Sequence, residues 1–483
     1  MAAFLMMTAA FSTLMVDASS VCYTPRERKG RCPADAYRLP STMFGTKTTY
    51  AHGNDIYKRR VKRMTIKGCE ARMLILFMRN AATYPSKEDM RKMAKRLPEI
   101  RNLILKAHRA RKGRLCRKHV ALLRKWRYRW KEGVGDKVML SGVKEIRRIA
   151  SRFRRMFPTL LPSRFKEEEY SVTVTSKEKT QKTAKVFLRE ILIRRDYRIF
   201  RKALKERHVD DGLLSFDETC EDMLQKQHLN SSEPREKSKF LRGAEINMLV
   251  KEMSRRVGVN VSSDDVQLMA KTCAFEVAKN GRSPFCFLFD TEDFDLLEYA
   301  EDLGDYEQDA HGNPRSVATG CVLVDEMVDL IREKLRAVAK VPQSVHARTK
   351  AALYFTRAGP MKRLIARLGL GLTQPPMTAG NYCQLENKRK WRSSRFSPFS
   401  ANFALVLFAC RRGRMRVLPL LNEGEVQLPG CQSGSCPVEE FFRSTAVRDS
   451  TQKCDLKDVC SGNWTAPKGI RGKGGRALHK LAG

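Results

Sequence analysis

The sequence predicts an α/β fold, and three observations carry that expectation. Arg72-Met-Leu-Ile-Leu-Phe-Met78 is a continuous apolar run with polar residues on either side, the composition of a strand buried on both faces. After a short loop, Met90, Met93, Leu97, Ile100, Leu103 and Ile104 recur at three- and four-residue steps between Lys87 and about Ala110. That spacing is an amphipathic helix, which Pro98 should kink or restart. Further on, Ala351–Phe355, Phe403–Ala409 and Arg414–Leu421 repeat the strand pattern. Periodicity alone leaves a core helix open for the first run; the order strand, loop, helix favours the strand.

The other elements follow in order. Val21 to Asn54 reads as loop-rich, with Pro25, Pro33 and Pro40. Helical patterns run through Ala121–Lys131, Gly142–Phe157 and Thr183–His208, and between them Glu169–Thr175 alternates as a strand does. Residues 206–340 are helix-rich and more acidic, densest at Asp290–Asp309, a segment able to face a basic surface of the same chain. The tail after Pro467 is rich in Gly, Lys and Arg, and disorder is expected there.

A chain of 483 residues accommodates two or three domains. With 42% hydrophobic and 30% charged residues, a packed core is expected rather than wholesale disorder. Lys and Arg number 93 against 53 Asp and Glu, a net charge of +40. Such a balance argues for an anionic partner without choosing among nucleic acid, membrane surface, sulfated glycan and phosphate-rich small molecule.

Fourteen cysteines are spread along the chain rather than grouped in the close pairs of a closed zinc site. They read as disulfides or as buried free thiols, and the leader favours disulfides. Ala2–Val16 is a short apolar run followed by Ala18 and Ser20, the small residues of a signal-peptide cleavage after Ser20, although the preceding region carries no Lys or Arg. No later stretch is apolar enough for a membrane span. Sequons at Asn230, Asn260 and Asn463 agree with a secretory route, and the terminal Lys480-Leu-Ala-Gly483 is no retrieval signal. The expected destination is extracellular, through the endoplasmic reticulum, and a ribosomal or nuclear role is disfavoured.

Two short segments carry candidate chemistry. Leu76-Phe-Met-Arg79-Asn80-Ala81-Ala82-Thr83-Tyr84-Pro85-Ser86 follows the first strand and resembles the R-H-G-x-R-x-P loop of histidine acid phosphatases. Leu353-Tyr-Phe-Thr-Arg357-Ala358-Gly359-Pro360-Met361 resembles the strand–H-A-E–helix segment of one branch, the multiple inositol polyphosphate phosphatases. Phe44–Tyr50, Leu122–Trp126, Arg152–Pro162, Cys286 with Leu297–Leu303, and Ala401-Asn402 with Leu420–Gly424 resemble the same branch in the same order, from about residue 22 to 460.

The resemblance implies a histidine-phosphatase-like α/β core built from both ends of the chain, with an inserted helical cap. The layout would be a signal peptide at 1–20, core at 21–205, cap at 206–340, core again at 341–465 and a basic tail at 466–483. It also implies a mechanism without cofactor or metal: a histidine attacks phosphorus, arginines grip the phosphate oxygens, and the acid of the second motif protonates the leaving alcohol.

This chain departs from that pattern at its centre. Asn80 occupies the nucleophile position, and an amide nitrogen, delocalised into its carbonyl, forms no phosphoenzyme. Ala81 replaces the loop glycine, tolerable only at negative φ. Thr83 stands where a second phosphate-holding arginine belongs, Arg357 replaces the second-motif histidine, and Gly359 replaces the proton donor. Thr173 and Lys179 stand near the family's further phosphate ligands, the lysine keeping charge without the guanidinium fork. Arg79 survives intact, and Lys87, a candidate for a peripheral phosphate, reads more simply as a solvated first-turn side chain. His346-Ala347-Arg348 mimics H-A-E but precedes its strand. His52, His108, His119, His208, His228, His311 and His479 lie in no motif and read as surface residues.

The sequence therefore describes a phosphatase lineage acting on or binding inositol hexakisphosphate and related esters, with weak or no hydrolysis. The alternative is a secreted pseudo-phosphatase that holds a polyanion, inositol polyphosphate or heparin-like glycan, without catalysis. Lys58–Arg63 and Arg111–Lys118 are basic clusters suited to such a glycan or to a pocket rim. Arg124-Lys-Trp-Arg-Tyr-Arg-Trp-Lys131 has a nucleic-acid-like composition, but reads better as a helix with Leu122, Leu123, Trp126 and Trp130 inward, so no nucleic acid is expected. The oligomeric state is left open.

Overall fold

The computed structural model describes residues 21–25, 43–53, 62–131, 133–220, 235–338, 348–444 and 454–461. Its centre is a seven-stranded mixed sheet: β1 (Cys69–Arg79), β2 (Tyr170–Val174), β3 (Ala351–Thr356), β4 (Asn402–Cys410), β5 (Met415–Leu421), and the two-residue β6 (Gly424–Glu425) and β7 (Cys436–Pro437). The order is β2-β3-β1-β4-β5-β6, with β7 also on β5. β1 pairs parallel with β3 and antiparallel with β4, so both its neighbours come from the last third of the chain.

Helices of nine or more residues are numbered α1 (Lys87–Arg109), α2 (Arg117–Lys125), α3 (Leu140–Met156), α4 (Glu178–Ile191), α5 (Arg194–Arg207), α6 (Ala244–Val257), α7 (Ser263–Asn280), α8 (Thr291–Asp309), α9 (Cys321–Val338) and α10 (Ala358–Arg367). One sheet face, with Leu74, Leu76, Leu353 and Val406, packs on α3, α4 and α5. The other, with Met73, Ile75, Phe77 and Leu405, packs on α1 and the helices between 244 and 338. Met73 to Met78 are all at most 1% exposed. With apolar layers on both sides, β1 has no polar positions to alternate, which explains its uninterrupted run.

Four segments differ from the sequence expectation. α1 does not restart at Pro98 but runs through it as one helix. The pattern across Thr183–His208 is two helices, parted where Leu192 and Ile193 take extended torsions and Ile193 N donates to Ser163 O at 2.9 Å. The helix expected to reach Lys131 stops at Lys125. Beyond it Trp126, Tyr128 and Trp130 turn inward while Arg127 and Arg129 are exposed, a two-residue alternation. His119 is buried at 3% exposure and stacks on Phe287, while His311 is half-buried against Leu370 O. His346, His228, His479, the leader, the tail, the Lys58, Arg59 and Arg60 part of the first basic cluster, Asn230 and Asn463 lie outside the described residues; Asn260 is exposed.

The acidic segment does face basic residues of its own chain. Along α8, Asp295, Glu298 and Asp302 meet Arg389 and Arg392, and Asp305 and Asp309 meet Lys362 and Arg363. The carboxylates recur at three- and four-residue steps, so one helical stripe is neutralised by two basic segments.

A second buried knot joins segments far apart in sequence. Arg152 grips Glu423 with Nε and Nη2, each at 2.6 Å, Tyr50 donates to Glu423 at 2.8 Å, and Asn402 Nδ2 donates to Tyr50 at 2.9 Å. Six disulfides join described residues: Cys22–Cys383, Cys69–Cys410, Cys220–Cys460, Cys273–Cys286, Cys321–Cys454 and Cys431–Cys436. Among the described residues no cysteine is free, and no helix is long and apolar enough to cross a membrane.

Candidate active site

The two motifs meet at the carboxyl ends of adjacent parallel strands. Arg79 is in register with Thr356, and Asn80 N donates to Thr356 O at 2.9 Å. Loops at such strand ends are where open α/β sheets bind ligands, because the chain leaves the sheet there and its backbone polar groups are released. β2 joins on the far side of β3, with Thr173 opposite Tyr354, and Lys179 lies in the first turn of α4.

Asn80 is 4% exposed. Its Nδ2 donates to Ala81 O at 2.9 Å, and its backbone carbonyl accepts from Ser400 N at 3.1 Å. Ala81 N donates to Thr183 Oγ1 at 3.0 Å, and Ala81 takes no positive φ, so the lost glycine costs nothing in strain. The loop is pressed against Gly142 of α3, where a Cβ would fall 2.8 Å from both N and O of Ala82.

Arg79 is buried, its Nη1 donating to Thr46 O at 2.6 Å and Ser397 O at 2.5 Å, with the guanidinium 4.9 Å from the Phe399 ring centre. Burial lowers its pKa to about 10. Lys179 is half-buried and 3.8 Å from Asp136. Burial lowers its pKa, Asp136 opposes, and the charges of Arg357 and Arg79 push it further down. Three cations thus share one neighbourhood.

Arg357 is held by two carboxylates, Nη2 to Asp217 and Nη1 to Glu218, each at 2.7 Å. Gly359 lies in the first turn of α10, where an ideal Cβ would be 2.3 Å from Asp217 Oδ2 and 3.7 Å from Asp309 Oδ1. Burial raises the Asp217 pKa against the pull of Arg357 and Arg363, with Asp309 adding to the rise. Asp309 is itself pushed up by burial, but Lys362 and Arg363 outweigh this and hold it at about 2. Asp217 was not among the residues the sequence singled out; nothing in Ser215-Phe-Asp-Glu218 marks it.

The remaining candidates lie to the side. Thr83 is buried and bridges to Val138, and Lys87 is exposed in the first turn of α1. Among the described histidines, His208 bonds Val172 O and packs on Phe200, while His119 and His311 are engaged as above. A cavity of about 280 Å³ borders the loop at Ala82 and is lined by Lys144, Glu145, Arg148 and Lys279. A larger one, about 510 Å³, lies between α1, α7 and α8, with Phe44, Lys47, Arg96 and Glu301 on its walls.

Paired loops at the carboxyl ends of neighbouring parallel strands in a mixed sheet, flanked by helices, define an α/β fold. Residues 116–422 match the family model of the histidine phosphatase superfamily (branch 2), and the chain belongs to that superfamily. Among its relatives, multiple inositol polyphosphate phosphatase 1 of Drosophila melanogaster is 26% identical over 435 residues, covering 86% of this chain and 88% of that protein. The human protein of the same name is 25% identical over 452 residues, covering 87% and 89%. Two solved structures share the fold. The phytase from D. castellii has a TM-score of 0.61 at 15% identity, covering 88% of each chain. The multiple inositol polyphosphate phosphatase of Bifidobacterium longum, in complex with inositol hexasulfate, has a TM-score of 0.61 at 13% identity, covering 84% of this chain and 98% of that one.

Proposed function

We propose that this protein is a secreted polyanion-binding descendant of the inositol polyphosphate phosphatases, holding inositol hexakisphosphate or a related ester with weak or no hydrolysis. One observation carries the reading: the nucleophile position is Asn80, an amide buried in the loop with its nitrogen donating to Ala81 O. A phosphohistidine pathway needs an imidazole lone pair, and losing a covalent nucleophile costs on the order of 10⁶ in rate. Phosphate monoesters are among the slowest substrates without a catalyst, so little turnover would remain.

Binding is supported by what persists. Arg79 is retained, Lys179 stands near it with Asp136 as its ion-pair partner at 3.8 Å, and the cavity beside Ala82 adds Lys144, Arg148 and Lys279. The relatives' names supply the ligand class, and the disulfides favour an oxidising compartment. A second reading, a heparin-like glycan as the polyanion, is favoured by the net charge of +40.

The test is phosphate release from inositol hexakisphosphate, with ligand binding by calorimetry on the same preparation. Wild type is expected to bind and stay silent, and an Asn80→His, Thr83→Arg, Arg357→His, Gly359→Glu, Asp217→Ala variant to turn over. Turnover by wild type at a phosphatase-like rate would overturn the reading.

A further inference from the structure

Between residues 106 and 131 the chain has twelve Lys and Arg and no Asp or Glu. In the fold this stretch lies along α1. It turns at 110–116, and α2 runs back so that Arg101 of α1 donates to Leu123 O at 3.0 Å and Arg124 O at 2.8 Å. The segment after α2 continues in the same direction: Tyr128 donates to Met90 O at 3.0 Å, and Trp130 packs edge-on to Tyr84, ring centres 5.8 Å apart. α1 has 23 residues, roughly 34 Å of helix. The cations therefore form a track of about that length, from the far end of α1 back towards the Tyr84 loop.

The turn at the far end is fixed in shape. Gly113 and Gly258 both take positive φ, and their backbones approach so closely that a Cβ on Gly113 would be 2.8 Å from Gly258 N. Arg114 N donates to Arg256 O at 2.8 Å and Lys112 N to Ala107 O at 2.9 Å. These bonds hold Arg111, Lys112 and Arg114 outward, all exposed. Ion pairs along α1 occur nearer its start, at Lys92 and Arg96. Among the described residues, none of Arg109, Arg111, Lys112, Arg114, Arg124 and Arg127 is paired with a carboxylate.

The aromatic residues interleaved with these cations are turned away from solvent. Trp126 and Trp130 are each 7% exposed, and Trp126 Nε1 donates to Glu276 at 2.8 Å. Bases bind such surfaces by stacking on exposed rings, and here the rings serve the core. A ligand would be read by charge and length alone, in a disulfide-bonded protein suited to an oxidising environment. We infer that this track binds a linear sulfated polysaccharide of the heparin type, along α1 and α2 and apart from the site at Asn80. The inference rests on the polyanion reading above for its ligand class and adds where and in what form that ligand lies.

The probe is a heparin octasaccharide, titrated into the full chain across a series of NaCl concentrations. An Arg111→Asn, Lys112→Ser, Arg114→Ser variant is compared with an equal-charge control, Arg147→Ser, Arg154→Ser, Arg155→Ser on α3, both checked for an unchanged melting temperature. The turn variant is expected to lose about 30-fold or more in affinity near physiological salt, with the log–log salt slope shallower by about three, one per lost contact. The control should stay within about twofold. Equal loss in both variants, or none in either, overturns the proposal. So does single-stranded DNA binding as tightly through the same residues.

Inositol hexakisphosphate binding, measured alongside, should be unchanged in the turn variant. Its loss there would make the track part of that pocket and overturn a separate glycan site. Wild type that binds heparin but not inositol hexakisphosphate would sink the inositol reading alone; wild type that binds neither sinks both.

Discussion

Asp217 Oδ2 lies 2.3 Å from where the Cβ of a side chain at Gly359 would stand. The carboxylate that the family resemblance expects at 359 is thus replaced in space by one from a distant segment, anchored to Arg357 at 2.7 Å. Gly359→Glu alone should be destabilising by about 1–3 kcal/mol, from overpacking and from a second acid beside a buried one. Asp217→Ala should relieve most of that cost in the double variant. Urea unfolding of the four proteins measures the coupling, and strictly additive effects would refute it.

The Arg152–Glu423 pair is nearly inaccessible, with side chains 7% and 1% exposed. Arg152→Ala leaves Glu423 buried with only Tyr50 as donor, at a cost of about 3–5 kcal/mol. Arg152→Met with Glu423→Leu should be less destabilised than Arg152→Ala, because no charge is stranded. Equal stability of the two variants in denaturant titrations would contradict this.

Glu145 sits beside Ala51 N and Ser400, and burial pushes its pKa up to about 7 despite those hydrogen bonds. The unfolded chain gives up this proton near 4.5, so the folded state holds more protons between the two values. The stability this group contributes is complete at low pH and is lost as pH rises through about 7. Relative to Glu145→Gln, wild type should therefore lose about 1–3 kcal/mol between pH 5 and pH 8. A difference that stays flat with pH, followed by guanidinium unfolding at each value, would rule this out.

Cys69 and Cys410 are partners across β1 and β4, closing a loop of 341 residues. Replacing both with serine should cost about 2–5 kcal/mol, chiefly by freeing the unfolded chain. The thermal midpoint should fall with the fold intact by circular dichroism; an unchanged midpoint would show that the bridge constrains nothing.

Strands were legible where burial on both sides left a uniform signal, as at Met73–Met78 and Phe403–Phe408. The break at Leu192-Ile193 was not, because both residues are apolar and keep the helical stripe running. What separates α4 from α5 includes a tertiary bond to Ser163. The end of α2 was readable in principle: Trp126, Tyr128 and Trp130 alternate with arginines, a two-residue period that a helical reading overrides. The positions of Asn80, Arg357 and Gly359 came from the family resemblance of their segments, and the structure brings them to the neighbouring carboxyl ends of β1 and β3. Asp217 left no trace in the sequence, since its role depends on a gap at a residue far along the chain.

β1 is made long before either strand that will flank it. Some 270 residues separate its end from the start of β3, and at roughly 5–20 residues per second a ribosome needs about 15–50 s to supply them. Through that interval the most apolar segment of the core has both edges open, a hazard for mispairing. Of the six disulfides among the described residues, only Cys273–Cys286 is complete before β3; the other five need cysteines from Cys383 onward. Native closure of this sheet therefore waits on strands made some 270 residues and more after β1.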